Sequence, residues 1–314
     1  MLDALPRTAF SLLAGSTAVK RLASRYGMRK PNSFARRFIA GETVAEAIDA
    51  ARAIERSGLA VTLDVLGESI SSPAAAADAT HAYVAIVGDL ERAGVARNLS
   101  LKLTQLGLGI DRATSIDNLR RVLDAASAAG FFVRIDMEGS AHTEQTSETF
   151  ETLWSIGYRN VGVVVQSYLR RSEQDVRRMN QLGAGVRLVK GAYREPRAVA
   201  FQQKAEVDAA FVALMQLLMA EGSSPAIATH DPVMIEAAKI FAGARGVGKD
   251  RFEFQMLYGI RRDLQAALSA EGYQVRVYVP FGKEWFPYFM RRLGERPANV
   301  GFVVRNMFGE RSSS

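Results

Sequence analysis

Ionisable and polar side chains stand at the ends of short apolar runs throughout this sequence. Asp64 lies within Ala60–Leu66, and Glu68 follows it. Lys102 and Gln105 come at or after the run Leu99–Leu103, and Asp136 and Glu138 at the end of Phe131–Met137. Gln166 closes Val161–Val165; Arg187 sits inside Val186–Val189 and Lys190 follows it. Thr229 and His230 follow Pro225–Ala228, Gln255 lies in the Phe252–Leu257 run and Tyr258 follows it, and Tyr278 lies in Val275–Val279. A charge inside an apolar run is costly unless it is paired or used. Carboxylates, lysines and a guanidinium gathered on one rim can bind a small anion, move a proton or, through a lysine, form a Schiff base.

A second constellation lies near the end of the chain. Tyr288, Arg291, Arg292 and Glu295 are spaced i, i+3, i+4 and i+7, so they share one face of a helix. Such a face is ordinarily solvated. Here it is flanked by Trp285, Phe286 and Phe289, and neighbouring arginines beside aromatic rings suit capture of a small carboxylate.

The elements that must position these groups are legible as period. The eight apolar runs alternate with longer helical stretches such as Ile116–Ala129, Glu173–Leu182 and Val199–Ala220. Eight successive βα units in 314 residues, 48% of them hydrophobic, imply an α/β fold closed as a (β/α)8 barrel of the TIM type. In that fold the strand ends face a single mouth, where the polar groups above would converge. The organisation expected is a basic helical N-terminal extension over 1–58, the barrel over 59–308, and a flexible tail over 309–314. The helix after the last strand should cross the mouth.

Several chemistries are set aside. The chain has no cysteine, which removes disulfides, thiolate nucleophiles and cysteine metal sites and fits a reducing compartment. Its three histidines, His81, His142 and His230, are scattered, so no metal site is expected. His81 reads as a helix-surface residue, His142 as a loop residue and His230 as a ligand-facing group at a strand end. The stretch from Gly243 to Asp250 imitates a phosphate-binding loop but has Asp250 where a hydroxyl should hold magnesium, and it precedes a strand. Gly183 and Gly185 lack the third glycine of a dinucleotide-binding turn.

The net charge of +7 is concentrated. Residues 1–40 hold Arg7, Lys20, Arg21, Arg25, Arg29, Lys30, Arg36 and Arg37 against Asp3 alone. A basic, partly amphipathic segment of this kind can lie against an anionic membrane surface, or its cations can pair with acids on the barrel. No nucleic-acid-reading motif accompanies it. The apolar stretch Ala9–Val19 is too short to span a bilayer, and the protein is expected to be cytoplasmic, with peripheral contact to the inner face of the cell membrane as the reading of the basic segment.

Eight stretches together carry a family resemblance: Leu-Asp-Val-Leu-Gly-Glu at 63–68, Leu-Ser-Leu-Lys-Leu-Thr-Gln-Leu-Gly-Leu at 99–108, and Ile-Asp-Met-Glu at 135–138. Val-Val-Gln-Ser-Tyr-Leu follows at 164–169 and Val-Arg-Leu-Val-Lys-Gly-Ala-Tyr at 186–193. Ala-Thr-His at 228–230, Phe-Glu-Phe-Gln-Met-Leu-Tyr-Gly at 252–259 and the Tyr288-to-Glu295 helix complete the series. In this order, over residues 60 to 305, the chain resembles the proline dehydrogenases of the monofunctional bacterial type. The resemblance implies a distorted barrel with FAD across the strand ends, hydride transfer from L-proline giving 1-pyrroline-5-carboxylate, and reoxidation by a membrane quinone. It implies FAD contacts from Gln166, Arg187, Lys190, Gly191, Ala192, Thr229 and His230 and from the backbone near Met137. Arg187 would then stand near the flavin's reactive nitrogen. Lys102, Arg291 and Arg292 would bind the proline carboxylate, with Asp136 as the acid that balances these cations. Tyr278 and Leu257 would pack on the substrate ring, Tyr288 would close the site, and Glu295 would tie the last helix down beside the cofactor. The amine would lose its proton to water or to Asp136. No aldehyde dehydrogenase segment accompanies the barrel, so a separate pyrroline-5-carboxylate dehydrogenase would take the product.

Two other readings compete. A barrel lyase or aldolase would use Lys102 or Lys190 as a Schiff base, and a non-catalytic membrane module would rest on the basic N-terminus. The first does not account for the Tyr288-to-Glu295 helix, and the second leaves the charged rim unexplained.

Overall fold

The computed structural model describes residues 28, 33–95 and 97–295. Eight strands lie at β1 Ala60–Val65, β2 Asn98–Leu101, β3 Phe132–Ile135, β4 Val161–Gln166, β5 Val186–Val189, β6 Ala226–Ala228, β7 Glu253–Leu257 and β8 Gln274–Phe281. Each pairs in parallel with the next, and β8 closes on β1 through the register Thr62 to Tyr278 and Asp64 to Pro280. All eight apolar runs read from the sequence are strands. Strands flanked on both faces must be apolar along their length, and β4, Val-Gly-Val-Val-Val-Gln, is buried at every position.

Seven helices are crossovers: α2 Pro73–Ala93, α3 Arg112–Ala128, α4 Ser140–Ser155, α5 Ser172–Leu182, α6 Lys204–Glu221, α7 Pro232–Arg245 and α8 Arg262–Ala270. They are preceded by α1 Val44–Glu55, and α9 Trp285–Glu295 follows β8. Helix boundaries follow local chemistry. Thr43 and Glu46 form a reciprocal capping box at the start of α1, and Ser72 caps α2 ahead of Pro73. Helix α6 starts at Lys204, behind a Gln203–Glu206 capping box, and not at Val199 as the hydrophobic pattern implied. Buried Ala200 instead forms an isolated antiparallel bridge with Leu169, which uses the apolar residues of that stretch outside the helix.

Helix α1 contacts both β1 and β8, with Ala47 and Ala51 wholly buried in the main core. It fills the outer position between the last and first strands. Helix α9 is thereby released to cross the mouth, as the sequence led us to expect. It is held there by a separate apolar cluster that includes Met28, Phe38, Leu66, Trp285, Phe286 and Phe289. Trp285 also donates its indole N–H to Glu42 at 2.8 Å. Of the basic N-terminal cations, Arg36 donates to Glu46 and to the Met28 carbonyl. Residues 1–27 and 296–314 lie outside the described residues, and with them most of the N-terminal extension and the whole expected tail. Among the described residues, no helix is long and apolar enough to cross a membrane.

The barrel interior is packed below the mouth. The Arg134 guanidinium donates to the carbonyls of Val163 and Gly185 and lies over the Phe132 ring. Gly162 provides the room, since a Cβ there would come within 2.6 Å of Arg134 Nη1. Burial and the neighbouring Arg187 charge pull the Arg134 pKa down to about 9.

Candidate active site

A cavity of about 460 Å³ opens at the C-terminal ends of the strands, beneath α9. It is lined by Lys102 from the end of β2, Asp136 and Met137 from β3, Val164 and Gln166 from β4, and Arg187, Val189, Lys190, Gly191, Ala192 and Tyr193 from β5 and its loop. Ala228, Thr229, His230 and Asp231 come from β6, Gln255, Met256 and Leu257 from β7, Tyr278 from β8, and Tyr288, Arg291 and Arg292 from α9. Every residue given a catalytic or binding role in the sequence reading therefore lines this one cavity except Glu295, whose side chain lies outside the described atoms; of the other rim groups, Asp64, Glu68, Gln105, Glu138 and Tyr258 do not line it. This convergence arises because parallel closure brings every strand end to the same side.

The centre of the site is a charge-balanced network. Asp136 accepts from Arg187 Nη1 through Oδ1 at 2.7 Å and from the Tyr278 hydroxyl through Oδ2, also at 2.7 Å. Lys102 Nζ lies 3.2 Å from Asp64 and 3.7 Å from Asp136. Arg187 also donates through Nη2 to Ser100, whose hydroxyl meets that of Thr62, both fully buried. Burial opposes the Lys102 charge, but the Asp64 and Asp136 carboxylates outweigh it and raise the ammonium above its usual range. Burial, reinforced by Asp136 and Asp64, drives the Tyr278 phenol far above its ordinary value, so it is a donor at neutral pH. Arg187 Nε and Gln255 Oε1 are buried without a hydrogen-bond partner among the described atoms, leaving polar capacity at the cavity unused by the protein itself.

Around this centre each group is anchored. Gln166 donates through Nε2 to the Glu138 carbonyl at 2.9 Å. Lys190 bridges Asp208 and Asp231 at 2.6 and 2.8 Å, which pins the strand-five end to the starts of α6 and α7. His230 Nε2 accepts from the Leu257 N–H at 2.9 Å, so the proton of the neutral ring resides on Nδ1. Gly191 has φ +112, and a Cβ there would fall 2.2 Å from the Tyr168 ring, so only glycine lets the loop pass at this point. On α9, Arg291 donates to Glu68 at 2.8 Å, and the Arg292 guanidinium lies 5.1 Å from the centre of the Tyr288 ring.

Some rim positions behave otherwise than the sequence implied. Tyr258 turns away from the mouth and lines an outer groove with Ile54 and Arg262, because the chain bends at the end of β7. Gln105 faces back into the wall: its Oε1 accepts from the Tyr83 hydroxyl and its Nε2 donates to the Val65 carbonyl. His142 belongs to α4 and not to a loop, since the chain turns helical directly after Gly139. His81 is on the surface of α2 and pairs with Arg121, as a helix-surface residue should. The Gly243-to-Asp250 stretch is the end of α7 and the turn that follows it, where Lys249 donates to the Glu271 carbonyl. Asp64, Ser100, Asp208 and Asp231 were given no role from sequence. Of these only Asp64, a carboxylate within an apolar strand, carried a signal. Tyr193 lay inside a family stretch without an assigned role, and it lines the cavity with its phenol raised to about 12 by burial and Glu68.

Comparison with known proteins bears on the family and the fold. The family described as proline dehydrogenase matches residues 47–305. The chain is 42% identical over 311 residues to a proline dehydrogenase of Deinococcus radiodurans, covering 98% of this chain and 99% of that one. It is 39% identical over 301 residues to proline dehydrogenase 1 of Bacillus subtilis, covering 96% and 98%. Among solved structures, proline utilization A from Bdellovibrio bacteriovorus, inactivated by N-propargylglycine, superposes with a TM-score of 0.79 at 28% identity. That match covers 89% of this chain and 34% of the other, so this chain spans about a third of the longer protein. The barrel and the agreement along nearly the full length of the two shorter relatives lead to one assignment: the chain belongs to the proline dehydrogenase family.

Proposed function

We propose that this protein oxidises L-proline to 1-pyrroline-5-carboxylate with FAD bound in the 460 Å³ cavity, and that a membrane quinone takes up the electrons. The observation that carries the reading is the Lys102–Asp136–Arg187–Tyr278 network, set opposite Arg291 and Arg292 in one cavity. The lining fits a flavin: Arg187 Nε and Gln255 Oε1 have buried hydrogen-bonding capacity to spare, and Gly191 and Ala192 line the cavity with little or no side chain. Gln166, Arg187, Lys190, Gly191, Ala192, Thr229, His230 and the backbone near Met137 would hold it. Bound FAD supplies the hydride acceptor that no side chain here can provide.

The protein's own residues bind and orient. Lys102, Arg291 and Arg292 present positive charge to a carboxylate, and Leu257 and Tyr278 offer an apolar face and an aromatic ring to a five-membered ring. Asp136 accepts from Arg187 and Tyr278, one donor on each oxygen, so it holds these groups in position, and the amine proton would leave to water or to a remaining lone pair of Asp136. Arg187 keeps a fixed positive charge in a buried setting, where it favours negative charge developing beside it. Glu295 is assigned to anchoring the last helix. The basic residues before position 40 are assigned to a peripheral contact with an anionic membrane, where quinone resides. A separate pyrroline-5-carboxylate dehydrogenase would consume the product.

The lysine-based lyase fits less well. A Schiff-base lysine must be neutral to attack, whereas Lys102 is held protonated between two carboxylates and Lys190 bridges two more. The deciding experiment is a visible spectrum of the purified protein before and after L-proline is added without oxygen. Flavin absorbance that bleaches with proline and returns with a quinone is the expected result. Flavin that ignores proline would overturn the substrate, and a colourless protein that stays inert after FAD is added would overturn the whole reading. N-propargylglycine, which inactivates the Bdellovibrio protein, is expected to abolish the activity here as well.

A further inference from the structure

The loop between β1 and α2 carries Glu68, the carboxylate that receives Arg291. Its next residue, Ser69, has φ +59, a left-handed conformation unfavourable for a residue with a Cβ. Something outside the loop must hold it. The two backbone N–H groups after Glu68 both end on Thr104: Ser69 N donates to Thr104 Oγ1 at 3.0 Å and Ile70 N to the Thr104 carbonyl at 3.2 Å.

Thr104 is buried in the short turn Leu103–Leu106 that follows β2. Its own N–H and hydroxyl donate to the two carboxylate oxygens of Glu138, at 3.1 and 2.6 Å. A hydroxyl has one proton and two lone pairs. With the proton committed to buried Glu138, the oxygen is left to accept from Ser69. Glu138 in turn lies two residues beyond Asp136, and its carbonyl receives Gln166. The chain of contacts Glu138–Thr104–Ser69 therefore joins the loop at the end of β3 to the loop that bears Glu68.

We infer that Thr104 is a positioning residue: with its hydroxyl oriented by Glu138, it holds the Ser69 backbone so that Glu68 stays on Arg291 and α9 stays over the cavity. Valine at 104 would match the shape of threonine but leave a buried Glu138 oxygen without its donor and take from the part-buried Ser69 N–H the acceptor that holds the loop. Serine would keep both bonds. This inference rests on the proposed activity only in using L-proline as the measured substrate.

The test compares KM and kcat for L-proline in Thr104→Val, Thr104→Ser, Glu68→Gln and the double variant Thr104→Val with Glu68→Gln. Thr104→Val should raise KM about tenfold with kcat held within about twofold, the size expected for losing a bond to a charged group. Thr104→Ser should behave like the parent protein, and Thr104→Val should add nothing once Glu68→Gln is present. Serine as impaired as valine, or effects of Thr104→Val and Glu68→Gln that multiply, would overturn the inference. Should the valine variant not fold, Glu138→Gln carries the same expectation, since glutamine leaves one acceptor oxygen for Thr104's two donors. A parent protein that proline does not bleach refutes the proposed activity. A bleached parent with multiplying variants refutes only the role of Thr104.

Discussion

Lys102 and Asp64 meet 3.2 Å apart at the barrel mouth, the carboxylate wholly buried and the ammonium nearly so. They come from neighbouring strands, and Asp136 on the far side of the lysine brings a second carboxylate to 3.7 Å. Removing one member of a buried pair leaves the other charge uncompensated. Burial raises the Asp64 carboxyl even beside Lys102, and Asp136 remains as a second partner, so Asp64→Asn is expected to cost about 3 kcal/mol at most, the lower end for a broken buried pair. Urea unfolding at neutral pH measures this, and a loss too small to resolve would mean that Asp136 alone suffices. The Lys102 pKa is raised above its ordinary 10.5, so its stabilising contribution is complete below that pH and is lost only as the pH climbs beyond it.

Asp136 is the point where Arg187 and Tyr278 are both fixed. With Asp136→Ala, Arg187 and Lys102 lose a shared counter-charge and Tyr278 loses its acceptor. We expect kcat/KM for proline to fall at least about thirtyfold, the equivalent of losing charge-assisted hydrogen bonds worth about 2 kcal/mol. Tyr278→Phe, which removes one of the two bonds and keeps the ring, should lose about tenfold. Steady-state kinetics on both variants decide it, and a phenylalanine variant worse than the alanine one would show that the network is ordered differently.

At Gly191 the expected effect is on the cavity itself. Alanine would meet the Tyr168 ring at 2.2 Å while also being held at φ +112. Backbone strain of this kind costs about 1–3 kcal/mol before the clash is counted. Gly191→Ala should lower the melting temperature and the flavin content together. A variant that keeps its full flavin complement would show that the loop relaxes without disturbing the site.

Acid should loosen the entry to the barrel in a defined window. Partial burial pushes Glu46 up, but the Arg36 guanidinium and the N–H groups of Glu42 and Thr43 outweigh it and hold the carboxyl at about 2. With the folded value below the ordinary 4.5, this stabilisation is present above pH 4.5 and is lost as the pH falls from there toward 2. The pair is partly exposed, so its size is on the order of 1 kcal/mol. Glu46→Gln should lower stability near pH 7 and flatten its fall below pH 4.5. Parallel acid-unfolding curves for the variant and the parent would contradict this.

Residues near in sequence were enough to locate the strands, because strands buried on both faces are written as uninterrupted apolar runs such as Val161–Val165. The spacing from Tyr288 to Glu295 likewise placed Tyr288, Arg291 and Arg292 on one helical face, since helical period is local. The start of α6 escaped that reading because Ala200 is apolar for a bridge to Leu169, a partner 31 positions away. Tyr258 and Gln105 escaped it because the direction of a side chain beyond a strand end depends on how the loop turns. Pairings were decided by closure of the barrel: Arg187 with Asp136, Lys102 with Asp64, and Arg291 with Glu68 across 223 positions. Residue type announces that a charge must be met; which partner meets it depends on register and on the position of α9, and those are properties of the whole fold.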